Sequence, residues 1–309
     1  MRITLLAMTQ PVRRLFEEYP RATSSQLQGT PQEQLIEIAG RSCYDSFGRG
    51  RQSSDYHAHL LESEHGSVLE HVSFTFRIEG VSRSLTHELV RHRVGTAISQ
   101  RSTRYCDEGD AKFVVHAADQ TTTEKIVDID AQTAAAYEAI YDAAKKEGVP
   151  EKQARAAAAR VLPHGLETEL IWSCNLRSLR TILDQRATDA ADAEIREFAV
   201  GLWHLTVAHV PAYLTEYDLF PAKDGLGQVL KRLSSTTSMR EELKRRAEQI
   251  VKLTMQLANA GTFVLITLAI VALLLAPSAG PHSLGALTLE LADPASAATA
   301  CDDPALNAL

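Results

Sequence analysis

The sequence predicts an α+β fold: a small, mainly antiparallel sheet with long flanking helices, followed by a C-terminal apolar helix. Two runs carry the sheet, because residues 72–79 and 166–174 alternate apolar and polar side chains, the period-two mark of a half-buried strand. Helices are carried by longer stretches such as the alanine-rich, amphipathic 122–146. Long helices around a few alternating strands make an α+β domain that ends near residue 220.

In chain order, Arg2-Ile3-Thr4-Leu5-Leu6 is too short in apolar content for a signal peptide and reads as a first strand. Residues 35–39 and 56–64 read as helices, with Gly29, Pro31, Gly48 and Gly50 punctuating the loops around them. A polar turn from Glu64 to His71 leads into the strand 72–79. Residues 84–93 place Leu85, Leu89 and Val90 at helical spacing and run into Gly95, a stop signal. That puts Arg91 and Arg93 in a last turn, where the helix dipole favours cations. Residues 113–116 read as a short strand, and the helix 122–146 follows. Pro150 opens a second helix that must end near Pro163. After the strand 166–174, Asn175-Leu176-Arg177-Ser178 turns into a helix over 179–186, and a further helix over 190–209 is closed by Pro211.

The domain organisation expected is a large α+β domain over 1–222, a charged helical linker over 226–252, an apolar helix over 253–276 and a low-order tail over 277–309. Residues 231–252 hold seven basic and three acidic side chains, and the next 24 residues carry no charge. That length spans a bilayer, so a single membrane-spanning helix is predicted there. The competing readings are a buried or oligomer-forming helix, or an appendage fused to the domain. The tail has Glu290, Asp293, Asp302 and Asp303 but no lysine or arginine, a bias that places the larger domain in the cytoplasm.

With 309 residues there is length for a sizeable core, and 23% charged with 45% hydrophobic residues is ordinary for a globular protein. A formal charge of −7 argues against bulk nucleic-acid binding, so any basic site is local. Cys43, Cys106, Cys174 and Cys301 form no CxxC pair, which indicates neither a zinc knuckle nor a disulfide framework and fits a reducing compartment.

Residues 91–105 are such a local site. Four arginines, one histidine and the hydroxyls of Thr96, Ser99, Ser102 and Thr103 fall within fifteen residues. Guanidinium forks and hydroxyl donors suit phosphate oxygens, and their number exceeds what one phosphate takes. Composition alone leaves the plainer alternative of a basic turn making surface salt bridges open. No metal is expected. His87 and His92 resemble a zincin pair but stand five apart, roughly 140° round a helix. His65, Glu70 and His71 have no further ligand at helical spacing.

These residues resemble the flavin-dependent thymidylate synthases. The family signature is Arg-His-Arg, seven residues, then Ser-x-Arg-Tyr; here Arg91-His92-Arg93 is followed by eight residues before Ser102-Thr103-Arg104-Tyr105. The likeness extends over about residues 1–218, through His65 and Glu70-His71, Arg160 before Leu162-Pro163, Asn175 with Arg177-Ser178, and Arg186 ahead of Glu194-Ile195. The resemblance implies reductive methylation of dUMP to dTMP, with methylenetetrahydrofolate giving the carbon and FAD reduced by NADPH giving the hydride, in a homotetramer with shared active sites. It implies that Ser67, Arg91, His92, Arg93, Asn175 and Arg177 contact FAD, with Thr181 on the flavin side and His65 by flavin and folate. Gln100 is implied between flavin and nucleotide. Glu88, Arg91, Arg101, Ser102, Thr103 and Arg104, with Arg160 from a neighbouring subunit, are implied around dUMP, and Arg186 is implied as the catalytic arginine. Cys106 and Cys174 are then packing residues rather than nucleophiles.

The sequence departs from the family at the extra loop residue, at Glu88 where glutamine is common, at Thr181 for asparagine and at Ala190 for histidine. A carboxylate beside phosphate costs binding unless Arg91 or Arg104 neutralises it. The rival functions are a flavin-dependent methylase or hydroxymethylase of another pyrimidine nucleotide such as UMP, and a non-catalytic nucleotide- or RNA-binding relative.

Overall fold

The structure is a computed structural model that describes residues 1–12, 27–48, 51–110, 112–116 and 119–233. Strands β1 (Arg2–Met8), β2 (Ser73–Ser82), β3 (Thr96–Gln100) and β4 (Glu167–Asn175) form one sheet in the order β1-β2-β4-β3, and every neighbouring pair is antiparallel. The expected α+β class with a small antiparallel sheet therefore holds.

Alternation places Phe74, Phe76 and Ile78 of β2 on the same face as Leu170, Trp172 and Cys174 of β4, and all six are buried. Each Phe, Ile or Leu among them contributes about 1.5–3 kcal/mol by leaving water. Phe76 stacks on Trp172 with ring centroids 5.9 Å apart, and Phe198 meets Trp172 edge-on at the same separation. The opposite face is polar: the hydroxyls of Thr75 and Ser173 hydrogen-bond at 2.9 Å. Between Ile78 and Val81 the register shifts, and Gly80 takes φ +67° there. This bulge lets Ile78 and Val81, three residues apart, both point into the core.

Helices pack on the sheet or, as Gln120–Lys146 and Glu151–Ala158 do, on each other. They are α1 (Pro31–Cys43), α2 (Ser53–Glu62), α3 (Arg83–Leu89), α4 (Gln120–Lys146), α5 (Glu151–Ala158), α6 (Leu176–Arg186), α7 (Ala193–Thr206) and the single turn α8 (Pro211–Leu214). Their starts follow capping chemistry. Thr30 and Glu33 make a reciprocal capping box on α1, Asp119 caps α4, and Asn175 caps α6. Ser82 caps α3 through the Leu85 amide at 3.0 Å, and Glu194 of α7 accepts from both the Ser82 amide, at 2.7 Å, and its hydroxyl. A hairpin of β5 (Tyr217–Pro221) and β6 (Gln228–Arg232) closes the domain, and its Leu230 amide donates to the Ala187 carbonyl just beyond α6, at 2.8 Å.

Several expectations are corrected. α3 closes at Leu89, with Val90 as its C-cap, so Arg91 and Arg93 lie in the turn beyond it. Residues 96–100 form a strand: Thr96, Ile98 and Gln100 pair with Cys174, Trp172 and Leu170 and alternate with the exposed Ala97 and Ser99. Residues 113–116 make a single bridge, Phe113 to Leu166. The last long helix is shorter than 190–209. Residues 228–232, expected to begin a charged helical linker, are a strand, because pairing with β5 buries Val229 and Leu230. The expectation of a membrane-spanning protein is also corrected: among the described residues no helix is long and apolar enough to cross a membrane. The apolar segment 253–276, on which it rested, lies outside the described residues, as do the tail and Cys301.

Candidate active site

The C-terminal ends of α3 and α6 meet, and the turn between α3 and β3 lies across them. Arg186, the last residue of α6, donates from Nη1 to Glu88 Oε2 at 2.8 Å and from Nε to His92 Nε2 at 3.1 Å. A guanidinium has only donors, so Nε2 of His92 presents its lone pair and the ring proton sits on Nδ1. Burial, and then the Arg186 charge, hold the His92 pKa below the ordinary histidine value, which keeps that lone pair available. The cation that pairs with Glu88 is Arg186, not Arg91 or Arg104.

The turn before β3 depends on Gly95. Its φ is +66°, and a Cβ there would lie 2.1 Å from the Asn175 side-chain amide, so only glycine permits the approach. The Asn175 amide donates to the Gly95 carbonyl at 2.9 Å, and the Ser178 hydroxyl donates to the Val94 carbonyl. Asn175 Oδ1 also accepts from the Ser178 amide at 2.9 Å. The arginine-rich turn is thereby tied to the start of α6. Arg91 and Arg93 are exposed on it and have no side-chain partner among the described residues.

The other predicted residues fall into separate groups. Arg177 pairs with Glu70 at 2.6 Å and packs over Gly66, where a Cβ would lie 2.9 Å from its Nε; Ser67 is exposed beside it. The Thr181 hydroxyl donates to the Arg177 carbonyl at 3.1 Å. His65 stacks on Tyr44 with centroids 6.0 Å apart, at a cavity of about 520 Å³ shared with Arg51, Tyr56 and His59. Gln100 is held from below, donating to Thr86 at 3.1 Å and Thr168 at 3.3 Å. Arg101 turns the other way: it pairs with buried Glu108 at 3.3 Å and donates to the Asp107 carbonyl at 3.0 Å, at the rim of a cleft lined largely by carboxylates. The Ser102 hydroxyl accepts a long bond from the Arg104 amide, at 3.4 Å, and Thr103 is half-buried. Arg104 lies 6.0 Å from the Tyr105 ring, and neither it nor exposed Arg160 has a carboxylate partner among the described residues. Cys174 is buried in the core face, and burial pushes its thiol up, away from the thiolate a nucleophile needs.

A family model described as "Thymidylate synthase complementing protein" matches residues 27–212, more than half of the chain. The chain belongs to this family. Among curated relatives, the flavin-dependent thymidylate synthase of Mycobacterium sp. (strain JLS) is 38% identical over 209 residues, covering 62% of this chain and 82% of the relative. That of Mycobacterium marinum is 35% identical over 215 residues with the same coverage. A solved Thymidylate Synthase X from Helicobacter pylori, with FAD and dUMP, is 20% identical with a TM-score of 0.49, covering 69% of this chain and 99% of that one. The family match takes in Glu88, His92, Arg186 and the whole arginine-rich turn. It also takes in two groups that sequence reasoning gave no role at the site, Glu194 and the Thr86–Thr168 pair under Gln100. Their importance comes from contacts across 112 and 68 residues, which no local pattern announces.

Proposed function

We propose that this chain is a flavin-dependent thymidylate synthase: it methylates dUMP reductively to dTMP, with methylenetetrahydrofolate as carbon donor and NADPH as the source of reducing equivalents. The observation that carries this reading is the fixed guanidinium of Arg186 within the family-matched region. A guanidinium keeps its charge at any working pH, so it favours the ionised pyrimidine and makes that ring the better nucleophile toward an electrophilic carbon. No protein thiol is needed, in keeping with the buried Cys174.

FAD, when bound, supplies the hydride. The residues present fit it: Arg91 and Arg93 offer to a pyrophosphate charges that are unpartnered among the described residues, and Gly95 and Gly66 keep the backbone close to Asn175 and Arg177. We assign FAD to Ser67, Arg91, His92, Arg93, Asn175, Arg177 and Thr181, with His65 at the folate side. Gln100, kept in place by two hydroxyls, stands between flavin and nucleotide. With Arg101 committed to Glu108, the phosphate of dUMP falls to Ser102 and Arg104, aided by Thr103, and to Arg160 from a neighbouring copy in a homotetramer. Among the described residues Cys43, Cys106 and Cys174 are free thiols, which supports a cytoplasmic setting.

The test is direct. Purified protein should carry flavin absorbance and convert dUMP, in preference to UMP, with methylenetetrahydrofolate and NADPH. Arg186→Ala should keep its flavin and lose about 10²–10³-fold in kcat, the usual cost of removing one preorganised charge partner. Failure to bind FAD, or turnover of UMP ahead of dUMP, overturns the reading.

A further inference from the structure

Resting on that reading, we propose that Glu88 is a positioning residue for Arg186: its carboxylate and the His92 imidazole clamp two nitrogens of the guanidinium and leave Nη2 for the pyrimidine. Glu88 holds Nη1 at 2.8 Å and His92 holds Nε at 3.1 Å. A planar group fixed at two of its three nitrogens has both its plane and its rotation set. Among the described residues Nη2 has no protein partner, so both of its N–H groups remain for substrate.

The clamp stands on fixed backbone at each point. Glu88 precedes fully buried Leu89 on a helix whose start is pinned by Glu194. The His92 carbonyl accepts from the Thr96 hydroxyl at 2.7 Å, which ties it to β3. Arg186 precedes Ala187, whose carbonyl is held by the hairpin at 2.8 Å.

A carboxylate beside a catalytic cation has two opposed effects. It orients the guanidinium, and it offsets part of the positive potential offered to an ionised ring. Side-chain exposures of 26% for Arg186 and 33% for Glu88 leave the pair partly in water, where its Coulomb effect is screened. Misplacing a catalytic group by 1 Å, by contrast, costs up to about a hundredfold in rate. Orientation wins, so removing Glu88 slows the enzyme rather than speeding it.

Two variants separate the effects, since Glu88→Gln keeps an acceptor oxygen at the same reach without the charge, whereas Glu88→Ala removes both. Expected for Glu88→Ala is a kcat lower by about tenfold to a hundredfold, with KM for dUMP within about threefold of wild type and flavin content retained. Glu88→Gln should stay within about threefold of wild type in both constants. Faster turnover by Glu88→Ala, equal losses in the two variants, or a raised KM with unchanged kcat each overturn the clamp. A crystal structure of Glu88→Ala gives an arm that needs no turnover: a displaced Arg186 supports the clamp, and an Arg186 still seated on His92 Nε2 overturns it. Should wild-type protein fail to convert dUMP, the functional reading falls, and the crystallographic arm still decides whether Glu88 positions Arg186.

Discussion

Arginines around α1 and α7 and those of the turn before β3 are treated in opposite ways by the same fold. Arg41 on α1 is buried and fully engaged: Nε meets Glu37 at 2.7 Å, Nη1 and Nη2 donate to the carbonyls of Ser46 and Arg51, and the guanidinium lies 4.2 Å over the Tyr56 ring. Arg196 on α7 is also buried, and its Nη2 meets Asp224 at 2.8 Å and the Leu226 carbonyl at 2.7 Å, while its Nε has no hydrogen-bond partner among the described residues. Arg91 and Arg93 stand exposed with no side-chain partner among the described residues. A charge taken out of water must be matched inside the chain; a charge left in water is free for a ligand. Buried arginines therefore report how the chain folds, and unmatched ones report what it binds.

The largest effect that would break this contrast belongs to Arg41. Replacing it with alanine leaves Glu37, whose side chain is fully buried, without its hydrogen-bonded cation. Breaking a buried pair from one side costs about 3–5 kcal/mol. Chemical denaturation of Arg41→Ala should show that loss, and a change under about 1 kcal/mol would mean that the buried arginines do not hold the fold together.

Next in size is a pH effect at the same place. His57 faces Tyr213, Glu37 and Arg41; its Nδ1 meets the Tyr213 hydroxyl at 2.5 Å and its Nε2 lies 3.7 Å from Glu37. Burial first, and then the Arg41 charge, depress its pKa from 6.5 to about 4. The folded state thus resists a proton that the unfolded chain accepts, so stability is whole above pH 6.5 and falls as pH drops toward 4. The loss reaches at most about 3 kcal/mol, at 1.36 kcal/mol for each unit between the two values. Urea midpoints taken from pH 7 to pH 4 measure it, and a His57→Gln variant should flatten the slope in that window. An unchanged slope would mean other groups govern it.

What the sequence disclosed and what it withheld follow the range of the contacts involved. Period-two alternation revealed β2 and β4, because Phe74, Phe76, Leu170 and Trp172 mark one face without help from elsewhere. β3 was hidden, since Thr96, Ser99 and Gln100 read as a polar loop until Trp172 and Cys174 are placed opposite. The helix before it was read too long: Val90 continues the apolar spacing, yet Arg91 and His92 close the turn back onto Glu88 and Leu89 carbonyls. Motif spacing pointed to Arg186, Glu88 and His92 separately. Their meeting spans 98 residues between Glu88 and Arg186 and depends on how α3 and α6 end, so the correct partner of Glu88 was invisible.

The smallest effect on stability sharpens the contrast most. Arg93→Gln removes an exposed cation that has no side-chain hydrogen-bond or carboxylate partner among the described residues, and exposed substitutions of this kind change stability by no more than about 0.5 kcal/mol. Fold and denaturation midpoint should therefore match wild type. If the unmatched arginines exist for anionic ligands, flavin affinity must fall nonetheless, by about ten- to a hundredfold for one charged hydrogen bond of about 1.5–3 kcal/mol. Arg91→Gln should behave the same way, and raising the salt concentration should weaken FAD binding to wild type more than to either variant, because each has one charge fewer to screen. Flavin titration at low and high salt measures both quantities on one sample. Unaltered affinity in both variants would leave these arginines as solvated surface and remove the contrast between the two regions, whereas a stability loss comparable to that of Arg41→Ala would show that they too are part of the scaffold.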